Sequence, residues 1–199
     1  MHSLKRIINK IKNNKGGFSL IEIMVVVFIM VALTSISVGS FAAYNRARSS
    51  KISKTLDTLI AQSKIDALSG RENFLLLRRV DNEYLAELYA VNGKNAKNYK
   101  QESLGNRWVT ITYDNTNTEI SETNYLMIRF NQKTGAVEYI STVNNSIFNP
   151  ENTNVENYTE PTQAKSAIPT ENTINIESNN NHPIILYRDS GEHKIAGEN

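Results

Sequence analysis

The residues with chemical potential sit together near the start of the chain: Lys15-Gly16-Gly17-Phe18-Ser19-Leu20-Ile21-Glu22. Gly17 has no side chain, so another protein can approach its backbone closely, and two consecutive glycines resist extending a helix upstream. The pair therefore predicts an extended segment whose peptide bonds a protease can reach. Glu22 stands at the edge of an apolar run, where an ionised carboxylate is costly to hold without a partner, on the order of 2.5–3.5 kcal/mol at the centre of a span and less near its end.

The element that positions these residues is a helix. From Ile23 to Tyr44 there are 22 residues without a charge, enough to cross a bilayer. Residues 23–33 are hydrophobic on every side, as lipid or complete burial requires. Residues 1–17 carry Lys5, Arg6, Lys10, Lys12 and Lys15 with no acid; after the run the first charge is Arg46. This asymmetry predicts a cytoplasmic N-terminus and an external C-terminal part. The formal charge of +2 conceals that division, because residues 18–199 hold 17 basic against 20 acidic side chains. A secretory signal peptide cut after Ala42-Ala43 explains the basic start and the apolar run, but not two glycines placed ahead of the run. An ordinary single-span anchor explains the length and orientation, but not Glu22.

Past the span the period becomes amphipathic. Ile52, Leu56, Leu59, Ile60, Ser63 and Ala67 form one stripe, with Arg48, Lys51, Lys54 and Asp57 outside it,. Ala61, Ile65 and Leu68 form a weaker stripe on roughly the opposite side, which predicts burial on two sides. Ser69-Gly70 is a stop signal. From residue 71 the pattern is that of strands: Phe74–Leu77, a turn at Asp81-Asn82, Tyr84–Val91, Trp108–Tyr113, and the alternating Leu126, Ile128 and Phe130. Two similar signatures follow, Phe130–Gly135 leading into Val137–Ile140 and Tyr187–Gly191 leading into His193–Ile195. Each is a polar turn ending in glycine. The expected fold class is α+β, a long N-terminal helix packed on one antiparallel sheet. Residues 144–172, rich in Asn, Thr, Glu and Pro, read as an exposed loop or partly disordered insertion. The sequons at Asn144 and Asn157 carry little weight in so Asn-rich a chain.

Other chemistries lack their residues. Cysteine is absent, and P-loop, HExxH and GxSxG patterns do not occur. His2, His182 and His193 have no paired metal-ligand spacing and read as solvated, as do the scattered acids of the head. No enzymatic activity and no cofactor or metal is expected. Lys94, Lys97 and Lys100 near Tyr99 form a short basic run, read as a soluble loop with weak potential for DNA.

The junction Lys15–Glu22 with its apolar continuation resembles the processing site of type IV prepilins and type II secretion pseudopilins. The resemblance implies that a membrane-embedded prepilin peptidase cuts after Gly17 and methylates the Phe18 amine, and that Glu22 serves assembly by pairing with the corresponding amine of a neighbouring subunit. It implies a pilin-like division: 1–17 a basic leader that is removed, 18–44 the transmembrane and filament-core helix, 45–70 the amphipathic half, and 71–199 the β-rich head. Its partners are the peptidase, other pilin or pseudopilin subunits, an assembly platform and, indirectly, the platform's ATPase. The location is a single-pass cytoplasmic membrane protein, then a periplasmic or surface filament. The helix-bending proline of many major pilins is missing, with Gly39 among Ser35, Ser37 and Ser40 in that neighbourhood, and so is the C-terminal disulfide loop. Loosely, the head resembles those of H-type pseudopilins and minor pilins. Two rival readings stand beside this one: a DNA-uptake or adhesive tip pilin with a binding head, and a membrane-anchored exoprotein that does not polymerise.

Overall fold

The computed structural model describes residues 19–106, 109–113, 118–144, 154–155, 158, 167–177 and 182–196, apart from the side chains of 35–42, 45, 106, 144, 154 and 155. The leader, Gly17, Phe18, Trp108, both sequons as whole motifs and most of 144–172 therefore lie outside the described residues, as do the side chains around Gly39. The chain forms two compact units, Met1–Ala43 and Tyr44–Asn199. Helix α1, Leu20–Leu68, contributes to both.

In the first unit the apolar side chains of α1 are exposed on every side, from Val26 at 49 % to Leu20 at 78 %. Among the described residues no helix is long and apolar enough to cross a membrane.

In the second unit the expected stripe is the buried one: Ile52, Leu56, Leu59, Ile60, Ser63 and Ala67 are all buried. The opposite stripe is not, since Ile65 and Leu68 remain exposed within the chain. The helix stops as its sequence demands. Arg71 N donates to Asp66 O at 3.1 Å and Gly70 N to Ala67 O at 2.9 Å, around a Gly70 φ of +86°. That is a Schellman motif, which satisfies carbonyls the helix leaves open.

The head holds two antiparallel sheets where one was expected. The first has six strands in the order β7-β6-β1-β2-β3-β8 and the second five in the order β11-β10-β9-β4-β5. The strands of the first are β1 Asn73–Val80, β2 Glu83–Asn92, β3 Asn95–Asn106, β6 Asn124–Phe130, β7 Val137–Asn144 and β8 Asn154–Val155. Those of the second are β4 Thr110–Tyr113, β5 Thr118–Glu119, β9 Glu171–Glu177, β10 Ile184–Tyr187 and β11 His193–Ile195. The second sheet hides in the sequence because β9 is built from Asn, Thr and Glu around Ile174 and Ile176, which with Asn172 are the side chains it buries.

The lysine run is likewise only in part a loop: Lys94 lies in the turn after β2, while Lys97 and Lys100 lie in β3, whose backbone pairs with β2 along its length while most side chains face water; a polar composition therefore does not exclude a strand. The Asp81-Asn82 turn has both residues at positive φ, +48° and +65°, the geometry of a two-residue type I′ hairpin.

Strand β1 is buried on both faces, which explains the unbroken Phe74-Leu75-Leu76-Leu77 run. Leu75 and Leu77 join α1 and the second sheet's Ile111, Ile174, Ile176 and Leu186 in the main core. Phe74 and Leu76 belong to a second cluster with Tyr89, Tyr125, Met127 and Tyr158. Tyr158 lies inside the polar 144–172 stretch, yet it stacks on Phe74 at 5.3 Å and donates its backbone N–H to Lys94 O at 2.7 Å. Ile168 is buried as well. The stretch is thus not purely a loop; it adds anchors to both cores.

Candidate processing and assembly site

Ser19 and Glu22 are the described members of the N-terminal constellation. Ser19 precedes the first helical residue, and its carbonyl accepts from Glu22 N at 3.0 Å and Ile23 N at 3.3 Å. Its hydroxyl accepts from Glu22 N at 3.2 Å, while the Glu22 carboxylate accepts from Ser19 N at 2.9 Å. This reciprocal pair is a capping box, which satisfies two donors the helix start would leave open. The Ser-x-x-Glu spacing that produces it is visible in the sequence as a signal separate from the charge of Glu22. An acid in the first turn also complements the helix dipole. Glu22 thus has a local structural task at the helix start, besides the assembly role expected of it. The Gly17–Phe18 bond lies outside the described residues, two positions before this cap.

The head's titratable groups are less solvated than their sequence positions imply. Glu87, in the middle of β2, is buried and takes two hydrogen bonds from Arg78, at 2.9 and 3.0 Å, and one from the Tyr89 hydroxyl at 3.2 Å. Burial and the Glu87 charge push the Tyr89 hydroxyl well above the ordinary phenol range. His193 is not solvated either: its Nε2 lies 3.4 Å from Asp57 on α1 and its side chain is only 13 % exposed. Asp66 accepts from Tyr99 at 2.6 Å, and the Arg71 guanidinium lies over the Tyr99 ring at 5.4 Å. Arg71 on the ring and Asp66 on its hydroxyl tie Tyr99 to the helix end. These pairs bind strand to strand or helix to strand. Among the described residues no three His, Asp or Glu side chains converge as a metal site.

Residues 12–38 match the family model described as the prokaryotic N-terminal methylation motif, a segment that includes Gly17, Phe18, Ser19 and Glu22. It is the type IV prepilin-like signal and fits a pilin or pseudopilin family. No curated protein and no solved structure matches the chain.

Proposed function

We propose that the chain, which carries a type IV prepilin-like signal over residues 12–38, is a subunit of a pilus-like or secretion-type filament with no catalytic activity of its own. In this reading a prepilin peptidase removes residues 1–17 and methylates the Phe18 amine. Residues 18–44 then hold the subunit in the membrane until it joins a filament through the same helix, with residues 45–199 outside. The observation that carries the reading is the matched motif over residues 12–38, a segment in which Lys12 and Lys15, the Gly16-Gly17 pair, Glu22 and much of the apolar run stand together. The membrane step is supported by the apolar side chains of the first unit, exposed all round the helix. Within that run the side chains of 35–42 are outside the described residues, whereas the uncharged sequence runs unbroken to Tyr44 and reaches the length a bilayer requires.

The test is to shear filaments from cells that contain the peptidase and to look for the chain in them, cross-linked to other prepilin-type subunits. Deleting the peptidase is expected to abolish incorporation. A chain that stays a membrane-bound monomer with the peptidase active supports the anchored-exoprotein reading, which the capping box favours by giving Glu22 a task that needs no filament.

A further inference from the structure

On the second unit a cleft of about 430 Å³ opens between residues 44–55 of α1 and 103–105 of β3. Arg48 and Lys51 are its charged lining residues, and no acid lines it among the described residues. A fault in strand pairing shapes it. Tyr84 pairs with Gly105 and Leu85 with Ser103, so Leu104 is the extra residue of a bulge; its side chain turns into the core,. Gly105 takes up the distortion at φ +119°. A Cβ there would lie 3.2 Å from Arg48 Nη2, 3.5 Å from Arg48 Nε and 3.3 Å from Ile52 Cδ1. Glycine therefore lets the half-buried guanidinium lie close against the strand backbone, on the cleft wall.

The position along the chain is as telling as the shape. The uncharged run ends at Tyr44, and the next eleven residues hold Arg46, Arg48, Lys51 and Lys54 with no acid. At 1.5 Å per residue these four charges fall within about 12 Å of helix, roughly one and a half Debye lengths at physiological salt, with neighbouring charges well inside one. Tyr44 itself is 63 % exposed, an aromatic of the kind enriched at membrane interfaces.

We infer that this cleft takes the phosphate of an anionic phospholipid headgroup on the head side of the membrane, with Arg48 and Lys51 as its ligands. The inference rests on the membrane-spanning reading of residues 23–44 proposed above. Arginine offers a planar fork that fits phosphate oxygens in pairs, and lysine adds a mobile point charge. Thr55 lines the same cleft. A lipid is favoured over other phosphates because the basic turns follow directly on the apolar run. Such a contact fixes the depth of the subunit in the bilayer and must be released when the subunit leaves it.

The experiment uses the purified full chain in neutral detergent, titrated separately with phosphatidylglycerol, phosphatidylcholine, inorganic phosphate and a short DNA duplex, with bound species read by native mass spectrometry. Phosphatidylglycerol is expected to be retained in preference to the other three. Arg48→Gln/Lys51→Gln is expected to weaken that retention about thirtyfold, roughly fivefold for each charge. Lys51→Gln alone, at an exposed position, provides the fivefold step without disturbing the fold, and Arg48→Lys/Lys51→Arg is expected to restore binding. Equal retention by wild type and the neutralised variant overturns the inference, as does phosphate or duplex bound as tightly as the lipid. A micelle-bound chain indifferent to phosphatidylglycerol removes this inference alone; a chain that enters neither micelles nor bilayers removes the membrane reading with it.

Discussion

Ser19 and Glu22 satisfy each other's backbone at the start of α1, with the carboxylate on Ser19 N at 2.9 Å and the hydroxyl on Glu22 N at 3.2 Å. Glutamine at position 22 preserves this geometry and removes the charge, whereas valine removes both. If Glu22 pairs with a neighbour's Phe18 amine, Glu22→Gln and Glu22→Val both lose filament incorporation, because a buried unpaired cation costs roughly 3–5 kcal/mol. Ser19→Ala, which costs the helix start about 1 kcal/mol, is expected to incorporate far better than either. The readout is each variant's ratio in sheared filaments to membranes. A Glu22→Gln variant that incorporates like wild type while Glu22→Val fails would reduce Glu22 to a cap.

Gly191 and Gly135 lie where the two glycine turns meet. A Cβ on Gly191 would sit 1.9 Å from the Gly135 carbonyl oxygen, and Val137 N donates to Arg188 O at 2.7 Å across the same seam. A fragment starting at Tyr44, the first residue of the second unit, is expected to unfold in one cooperative transition. In that fragment Gly191→Ala should cost roughly 3 kcal/mol or more, a fall in Tm on the order of 10 °C. Gly93→Ala, at φ +61° but with nothing within 4 Å, should cost only about 1 kcal/mol. Equal melting of the two variants would show that the seam yields to a methyl group.

Arg78 and Glu87 form a buried pair, their side chains 14 % and 1 % exposed. Arg78→Met takes away the carboxylate's cationic partner, leaving it the Tyr89 hydroxyl, and should destabilise the fragment by roughly 3–5 kcal/mol. Arg78→Met/Glu87→Leu removes the demand together with the donor, so denaturant unfolding should place it near wild type. A double variant as unstable as the single one would mean that the pair is worth more than an apolar substitute.

Alkaline pH should loosen the head. Burial is the main cause that raises the Tyr158 phenol from its ordinary 10 to about 12, and Tyr84 and Tyr139 are raised in the same direction, chiefly by burial. A raised folded-state value favours the neutral phenol. Its stabilising contribution is therefore whole below pH 10 and is lost as pH rises through about 12,. Melting temperature measured across that window should fall, and less steeply in Tyr158→Phe. An unchanged slope in the variant would remove Tyr158 from the account.

The helical stripe from Ile52 to Ala67 and the Asp81-Asn82 hairpin are legible because one periodicity or one turn geometry specifies each. Strands β3 and β9 are not, since their polar side chains face water or partners, and only pairing with β2, β4 and β10 identifies them as strands. Arg78 and Glu87 are diagonal neighbours in the β1–β2 register, so their pairing appears only once that register is known. The capping box is the opposite case, a local signal written in four residues. Tyr158 lies in a composition that argues for a loop, and it is the stacking on Phe74 that ties it to the core.

The central claim is that the chain is a processed prepilin-type subunit, and N-terminal mass spectrometry of the protein from its native membrane or filament tests it most directly. The account predicts a mature chain beginning at Phe18 with a methylated amine. A chain that still begins at Met1 in the presence of the peptidase, or that begins after Ala43, contradicts it.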